Sequence, residues 1–230
     1  MLRSTRKTLC IFFEATSADI FWKRKRDFSG GCAFAISGKT AVQIVQSEQM
    51  KRILYVRHGE STANINGVAG VSDAQLTGKG AGQAKITGQH LKSEGVTTIA
   101  CSPFIRARQT AEIIATELGI PVYELVTIDD LQERYLGEFE GTTGRPPEFF
   151  LNSDNEGGIE SRQHMIERAT RAIEKLKEIT EEHGGTTLAI AHGQIGYYTT
   201  QVSKGRTRFE DFDPPSEMNN AEFVEIWRGE

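Results

Sequence analysis

From residue 53 onward the apolar positions fall into two kinds of run. Short continuous runs at Ile53–Val56, Thr97–Cys101, Val122–Val126, Leu188–Ala191 and Glu222–Trp227 have the length and composition of buried strands. Between them, apolar residues recur at helical steps. Ile113, Ile114 and Leu118 form a stripe that stops at Gly119, and Ser102-Pro103 offers an N-cap with proline at the first helical position. Met165, Ala169, Ala172, Ile173, Leu176 and Ile179 form a second stripe, with charges between them, which Gly184-Gly185 ends. Leu76–Glu94 is a third helix candidate capped by Thr77, although Gly78, Gly80, Gly82 and Gly88 lower its intrinsic propensity. Strand and helix in alternation predict an α/β fold: a three-layer α/β/α sandwich around a mainly parallel sheet.

The first 49 residues break this pattern. Leu9-Cys10-Ile11-Phe12-Phe13 is cut short by Glu14, and Lys23-Arg24-Lys25-Arg26 follows apolar residues, the reverse of a secretory signal. A mitochondrial-type transit segment is an alternative, weakened by Glu14, Asp19 and Asp27. Met50 stands directly before Lys51-Arg52-Ile53, as it would if the first strand opened the natural chain. The expectation is an N-terminal appendage over 1–49, outside the natural domain, and one functional domain over 50–230.

Composition narrows the class. With 38% apolar and 25% charged residues and no apolar run near the ~20 residues of a membrane span, a membrane protein is not expected. Residues 1–49 hold eight Lys/Arg against four Asp/Glu, so the net charge of -4 leaves -8 for 50–230, which does not suggest nucleic acid as a partner. Cys101 is the one cysteine beyond residue 49, too few for a disulfide framework or a multi-cysteine zinc site; a reducing, cytoplasmic setting is expected.

Ligands of open α/β sheets bind beyond the carboxyl ends of strands. There the first run hands over to Arg57-His58-Gly59, and the run over Thr187–Ala191 ends likewise on His192-Gly193. Two strand-His-Gly junctions point to one site, with each glycine expected to let the chain turn sharply and approach a ligand closely. The strand ending at Cys101 leads to Arg106 in the first turn of a helix, where the helix dipole prefers an anion. A planar, permanently charged fork placed against that dipole suits phosphate oxygens; a surface pairing with Glu112 is the plainer alternative.

Taken in order, these residues resemble the histidine phosphatase superfamily, the phosphoglycerate mutase-like proteins. Arg57-His58-Gly59-Glu60-Ser61 with Asn64 is similar to the family's RHGES signature and its asparagine. Gly70, Asp73, Leu76-Thr77 and Gly80 match a second block, and Ser102-Pro103, Arg106-Ala107 and Gln109-Thr110-Ala111 a third. Leu131-Gln132-Glu133 with Gly137, Glu140 and Gly141, then Glu160-Ser161 with Arg168, then Ala191-His192-Gly193 complete the order. The resemblance implies a phosphoglycerate mutase-like fold and a phosphohistidine intermediate on His58. It also implies phosphate binding by Arg57, Arg106 and His192, added contacts from Asn64, Ser61 and Gly193, and Glu133 as proton donor, aided by partial burial or an acidic neighbour. His58 then needs its other ring nitrogen bonded to a carbonyl or similar acceptor. No metal and no cofactor are implied, and the expected substrate is a small phosphorylated metabolite, with a phosphoprotein as the alternative.

The family contains mutases and phosphatases. Glu133-Arg134-Tyr135-Leu136-Gly137 keeps only part of the mutases' E-R-H-Y-G, no asparagine-lysine pair follows, and no Arg-Arg dipeptide lies between Glu133 and His192. This favours a phosphatase, with Gly141–Gly158 as lid or substrate-selecting segment and Phe149-Phe150 as either part of it or a core anchor. Gln194 stands where the family often has a smaller residue or asparagine, and no arginine follows shortly after the second histidine. Two rivals from other classes are a metallohydrolase using His58, His192 and Asp73, which lacks paired-histidine spacing on one element, and a non-catalytic phospho-ligand binding module, which would not need Glu133.

Overall fold

The computed structural model describes residues 50–144, 149, 153–215 and 218–229. The expected appendage, most of the central part of the 141–158 loop, and Phe150 lie outside these residues. Among them, β1 (Arg52–Arg57), β2 (Val96–Cys101), β3 (Val126–Thr127), β4 (Thr186–Ala191) and β5 (Phe223–Arg228) form one sheet in the order β3-β2-β4-β1-β5. β1, β2 and β3 join through parallel pairings with β4 and with one another, whereas β5 closes the edge antiparallel to β1. A mainly parallel sheet is the predicted one.

Because successive side chains on a strand point to opposite faces, the strand residues divide between two cores. Ile53, Tyr55, Ala189 and Ala191 face α4 (Arg162–His183) and α5 (Gly193–Ser203), where Met165, Ala169, Leu176, Ile195 and Tyr198 are buried. Leu54, Val56, Ile99, Leu188 and Ile190 face α2 (Gly78–His90) and α3 (Ile105–Leu118), meeting Ala84, Ala107, Ala111 and Ile114. Each fully buried aliphatic chain of this kind contributes about 1.5–3 kcal/mol. No described helix is long and apolar enough to cross a membrane.

The predicted helices are present: Thr77 caps α2 by accepting from Gly80 N, Gly119 closes α3 at φ 72°, and α4 runs to the glycine pair. Two local expectations need correction. Val122–Val126 is not a strand: Val122–Glu124 is a 3-10 turn after Pro121, and only Val126–Thr127 pairs with β2. Pro121 carbonyl takes Glu124 N and Val122 carbonyl takes Leu125 N, so the turn satisfies its own backbone. Nor does Ser102 cap α3. That helix begins at Ile105, and Ser102 Oγ instead accepts from Phe104 N at 3.3 Å.

Candidate active site

β1 and β4 lie side by side, with Arg57 opposite Ala191 at the end of the ladder. His58 and His192 therefore leave the sheet together, and their rings lie 5.1 Å apart, edge to face. His58 is 3% exposed and His192 fully buried. Between His58 Nδ1 and the Gly59 carbonyl the distance is 2.7 Å, so that nitrogen carries the proton and donates. The lone pair is left on Nε2, which accepts from Arg106 Nε at 3.0 Å. Burial, then the positive charge of Arg106, lower the His58 pKa to about 3 against the favourable Gly59 contact. His192 is pushed well below its ordinary value by burial first and Arg106 second. Its Nε2 lies 2.8 Å from Ser102 Oγ.

Arg106 is 5% exposed and also donates to the Val71 carbonyl, and its guanidinium stands 5.3 Å from the Phe104 ring centre. The cation that fits the helix dipole badly is thus turned inward to a histidine, not outward to Glu112, which pairs with Arg108. Arg57 donates to the Met218 carbonyl at 2.6 Å, while its buried Nε has no hydrogen-bond partner among the described residues. Glu133 is half-buried, as expected. Its carboxylate accepts from Gln194 N, Ile195 N and Arg134 N at 3.2, 3.1 and 3.0 Å, across the amino end of α5. A side chain at Gly193 would stand 3.7 Å from Arg57 Nε and 4.0 Å from Glu133 Oε2, so cation and carboxylate flank that glycine. Arg57, His58, Arg106, Glu133, His192 and Gly193 are brought together.

Ser61 and Asn64 have a different local task. Ser61 is fully buried and caps α1 (Thr62–Asn66): its hydroxyl donates to Asn64 Oδ1 at 3.0 Å and accepts from Asn64 N. Asn64 Oδ1 also takes Ser61 N at 3.0 Å, while the side chain as a whole is exposed. The glycines differ from expectation too. Neither Gly59 nor Gly193 has a positive φ. Gly59 is needed because a Cβ there would fall 2.4 Å from the Gly80 carbonyl oxygen, a close approach of backbone to α2. Glu60 binds the same helix end, accepting from Thr77 Oγ1 at 2.9 Å and Lys79 Nζ at 2.7 Å. Asp73, the third ligand of the metallohydrolase reading, is exposed.

Several residues that complete the site carried no assigned role in the sequence. Asn220 Nδ2 donates to the His58 carbonyl at 2.9 Å, and Ala221 N donates to the Arg57 carbonyl at 2.9 Å. Ala221 holds φ 59°, a strained value for a residue with a side chain, and its carbonyl is anchored by Thr87 Oγ1 at 2.6 Å. Arg168, 9% exposed, forms a two-pronged pair with Glu160 and donates to the carbonyls of Asp130 and Gln132 at 2.9 and 2.6 Å. It thereby fixes the segment that delivers Glu133. Burial works against ionised Glu160, but the Arg168 bond and charge prevail and lower its pKa. Phe149, for which the sequence left part of the lid or a core anchor open, packs on Phe139, with ring centres 5.3 Å apart.

The model of the histidine phosphatase superfamily (branch 1) matches residues 53–207. An uncharacterized phosphatase, PhoE of Bacillus subtilis, is 30% identical over 189 residues, covering 78% of this chain and 92% of its own. A probable phosphoglycerate mutase, GpmB of Salmonella arizonae, is 34% identical over 161 residues, covering 63% and 70%. Among solved structures, a mycobacterial glucosyl-3-phosphoglycerate phosphatase complexed with VO3 shares the fold at a TM-score of 0.63 and 21% identity, covering 76% of this chain and 90% of that one. Bacillus stearothermophilus YhfR aligns at 0.62 with 25% identity, over 75% and 89%. With the family pattern matched across most of the sheet and both histidine junctions, the chain belongs to the histidine phosphatase superfamily, branch 1.

Proposed function

We propose that the chain is a phosphomonoester phosphatase that works through a phosphohistidine on His58. The observation that carries this reading is the fixed tautomer of His58: Nδ1 at 2.7 Å from the Gly59 carbonyl and Nε2 held 3.0 Å from Arg106 Nε. A histidine locked neutral, with its lone pair turned towards a guanidinium, is prepared to meet a phosphoryl group. When phosphate binds, the Arg106 fork exchanges the ring nitrogen for phosphoryl oxygens, which frees the lone pair. Nε2 attacks phosphorus, the ester P–O bond breaks, and Glu133 gives its proton to the departing alkoxide. Water then attacks phosphorus, losing a proton to Glu133, and the P–N bond breaks. Arg57 and Arg106 neutralise charge on the transferring oxygens throughout, and neutral His192 adds a hydrogen bond to them.

The substrate class we propose is a small phosphorylated metabolite, with a phosphoprotein as the alternative. The relative named a phosphatase is matched over 92% of its length, and the one named a probable mutase over 70%. The partial E-R-H-Y-G match, without the asparagine-lysine and Arg-Arg pairs, supports hydrolysis over mutase transfer. The deciding experiment mixes the protein with 32P-labelled phosphomonoesters, phosphoglycerates included. Expected are release of inorganic phosphate and an acid-labile, base-stable label that His58→Ala lacks. Conversion of 3-phosphoglycerate to its isomer without phosphate release would favour the mutase instead, and a wild-type protein that neither hydrolyses nor becomes labelled would sink the enzyme reading.

A further inference from the structure

We infer that Tyr55 is a positioning residue that sets the place of His192 against the phosphoryl group; this rests on the phosphatase reading above. Tyr55 lies in β1, three residues before His58, on the face turned to α4 and α5, and is fully buried. Its hydroxyl donates to the His192 carbonyl at 2.7 Å and accepts from His192 N at 3.0 Å. One side chain thus brackets both backbone groups of one residue. His192 needs such a partner because it has just left the ladder. The Arg57–Ala191 register is the last between β1 and β4, and His192 then adopts φ -130°, ψ 176° as the residue before α5. Its carbonyl also receives the first helical bond, from Gly196 N at 3.1 Å, but its N–H would otherwise be buried without an acceptor.

Gly196 is the other half of the device. A Cβ there would fall 2.6 Å from Tyr55 Cε1 and 2.9 Å from its Oη, so the phenol reaches His192 only because position 196 has no side chain. The φ of Gly196 is not positive. The glycine therefore answers to the ring and not to backbone strain, at a helix-propensity cost of about 1 kcal/mol. Phenylalanine or leucine would fill the same core position without a polar tip to satisfy. Burial raises the Tyr55 pKa well above its ordinary value, so the hydroxyl keeps the proton it donates. The backbone bracket fixes the place from which the His192 ring projects, and Ser102 Oγ, 2.8 Å from Nε2, fixes the ring's orientation, while Nδ1 has no partner among the described residues.

The test begins with Tyr55→Phe, which keeps the ring and removes the bracket. The expected result is a fall in kcat of about ten- to a hundredfold with KM changed little, and an equal fall in the rate of His58 labelling in rapid-quench experiments. A second pair of variants covers the case in which Tyr55→Phe fails to fold. Gly196→Ala lowers kcat in the wild-type background by displacing the phenol, yet adds no further loss in Tyr55→Leu, where the clash is gone. Wild-type kcat in folded Tyr55→Phe, or equal effects of Gly196→Ala in both backgrounds, overturns the inference while His58 labelling of the wild type stands. A wild type that is neither active nor labelled overturns the phosphatase reading and this inference together.

Discussion

His58 and His192 are both held neutral by burial and by Arg106, and this gives the folded chain a defined response to acid. In an unfolded chain a histidine takes its proton near pH 6.5, whereas folded His58 does so only at about 3. Below pH 6.5 the unfolded state therefore binds protons that the native state refuses, and stability falls as the pH drops from about 6.5 towards 3; above 6.5 the term is absent. The slope is about 1.4 kcal/mol per pH unit for each such histidine. Urea unfolding of the wild type at pH 7 and pH 5 should show a loss about 2 kcal/mol larger than the same comparison on His58→Gln. Equal losses would mean that His58 titrates as an ordinary surface residue. At this scale the sequence was readable where a residue's position in an element announced its direction: Arg57 and His58 at a strand end, Arg106 against a dipole. Tyr55, Ser102 and Asn220 were not, because their partners lie 137, 90 and 162 positions away and a hydroxyl or amide has no pattern that names a distant acceptor.

Between elements, the loop bearing Glu133 depends on α4. Arg168 links that helix to the carbonyls of Asp130 and Gln132, and Glu160 neutralises it with side-chain exposures of 9% and 7%. Removing one member of a buried pair strands the other charge, so Arg168→Met should lower stability by about 3–5 kcal/mol and reduce kcat as well. In Arg168→Met/Glu160→Leu the stability should partly return, read by urea unfolding, but kcat should not, since the loop carbonyls still lack their donor. Recovery of kcat in the double variant would reduce the clamp to charge balance. The stripe that formed α4 was legible because its apolar spacing is uninterrupted. The helix after His192 was not, since Gly193, Gly196 and paired threonines lower propensity, and packing of Ile195 and Tyr198 in the core overrides it. At Val122–Val126 the opposite happened: an apolar run suggested a strand, but Val122 and Tyr123 are exposed at 38% and 86%, and of this run only Val126, with Thr127 after it, meets a partner strand.

For the molecule as a whole, the hydrogen bonds at the site among the described residues run from Tyr55 to Ala221, within the expected domain. We accordingly expect protein beginning at Met50 to hydrolyse phosphomonoesters with the kcat and KM of the full chain; a large loss of either would give residues 1–49 a part in the active protein. The overall architecture was legible because strand-helix alternation and two His-Gly junctions jointly specify a parallel sheet with its site at one end. The antiparallel edge strand was legible as a strand, but not its contribution through the segment before it. That segment, through Met218, Asn220 and Ala221, holds Arg57 and the His58 peptide from the far side. A nascent chain emerging from the ribosome can therefore display its histidine pair, and even the whole stretch that matches the family, well before these supports exist. We therefore expect the site's supports to be complete only once residues 218–222 have emerged, after four of the five strands have been synthesised.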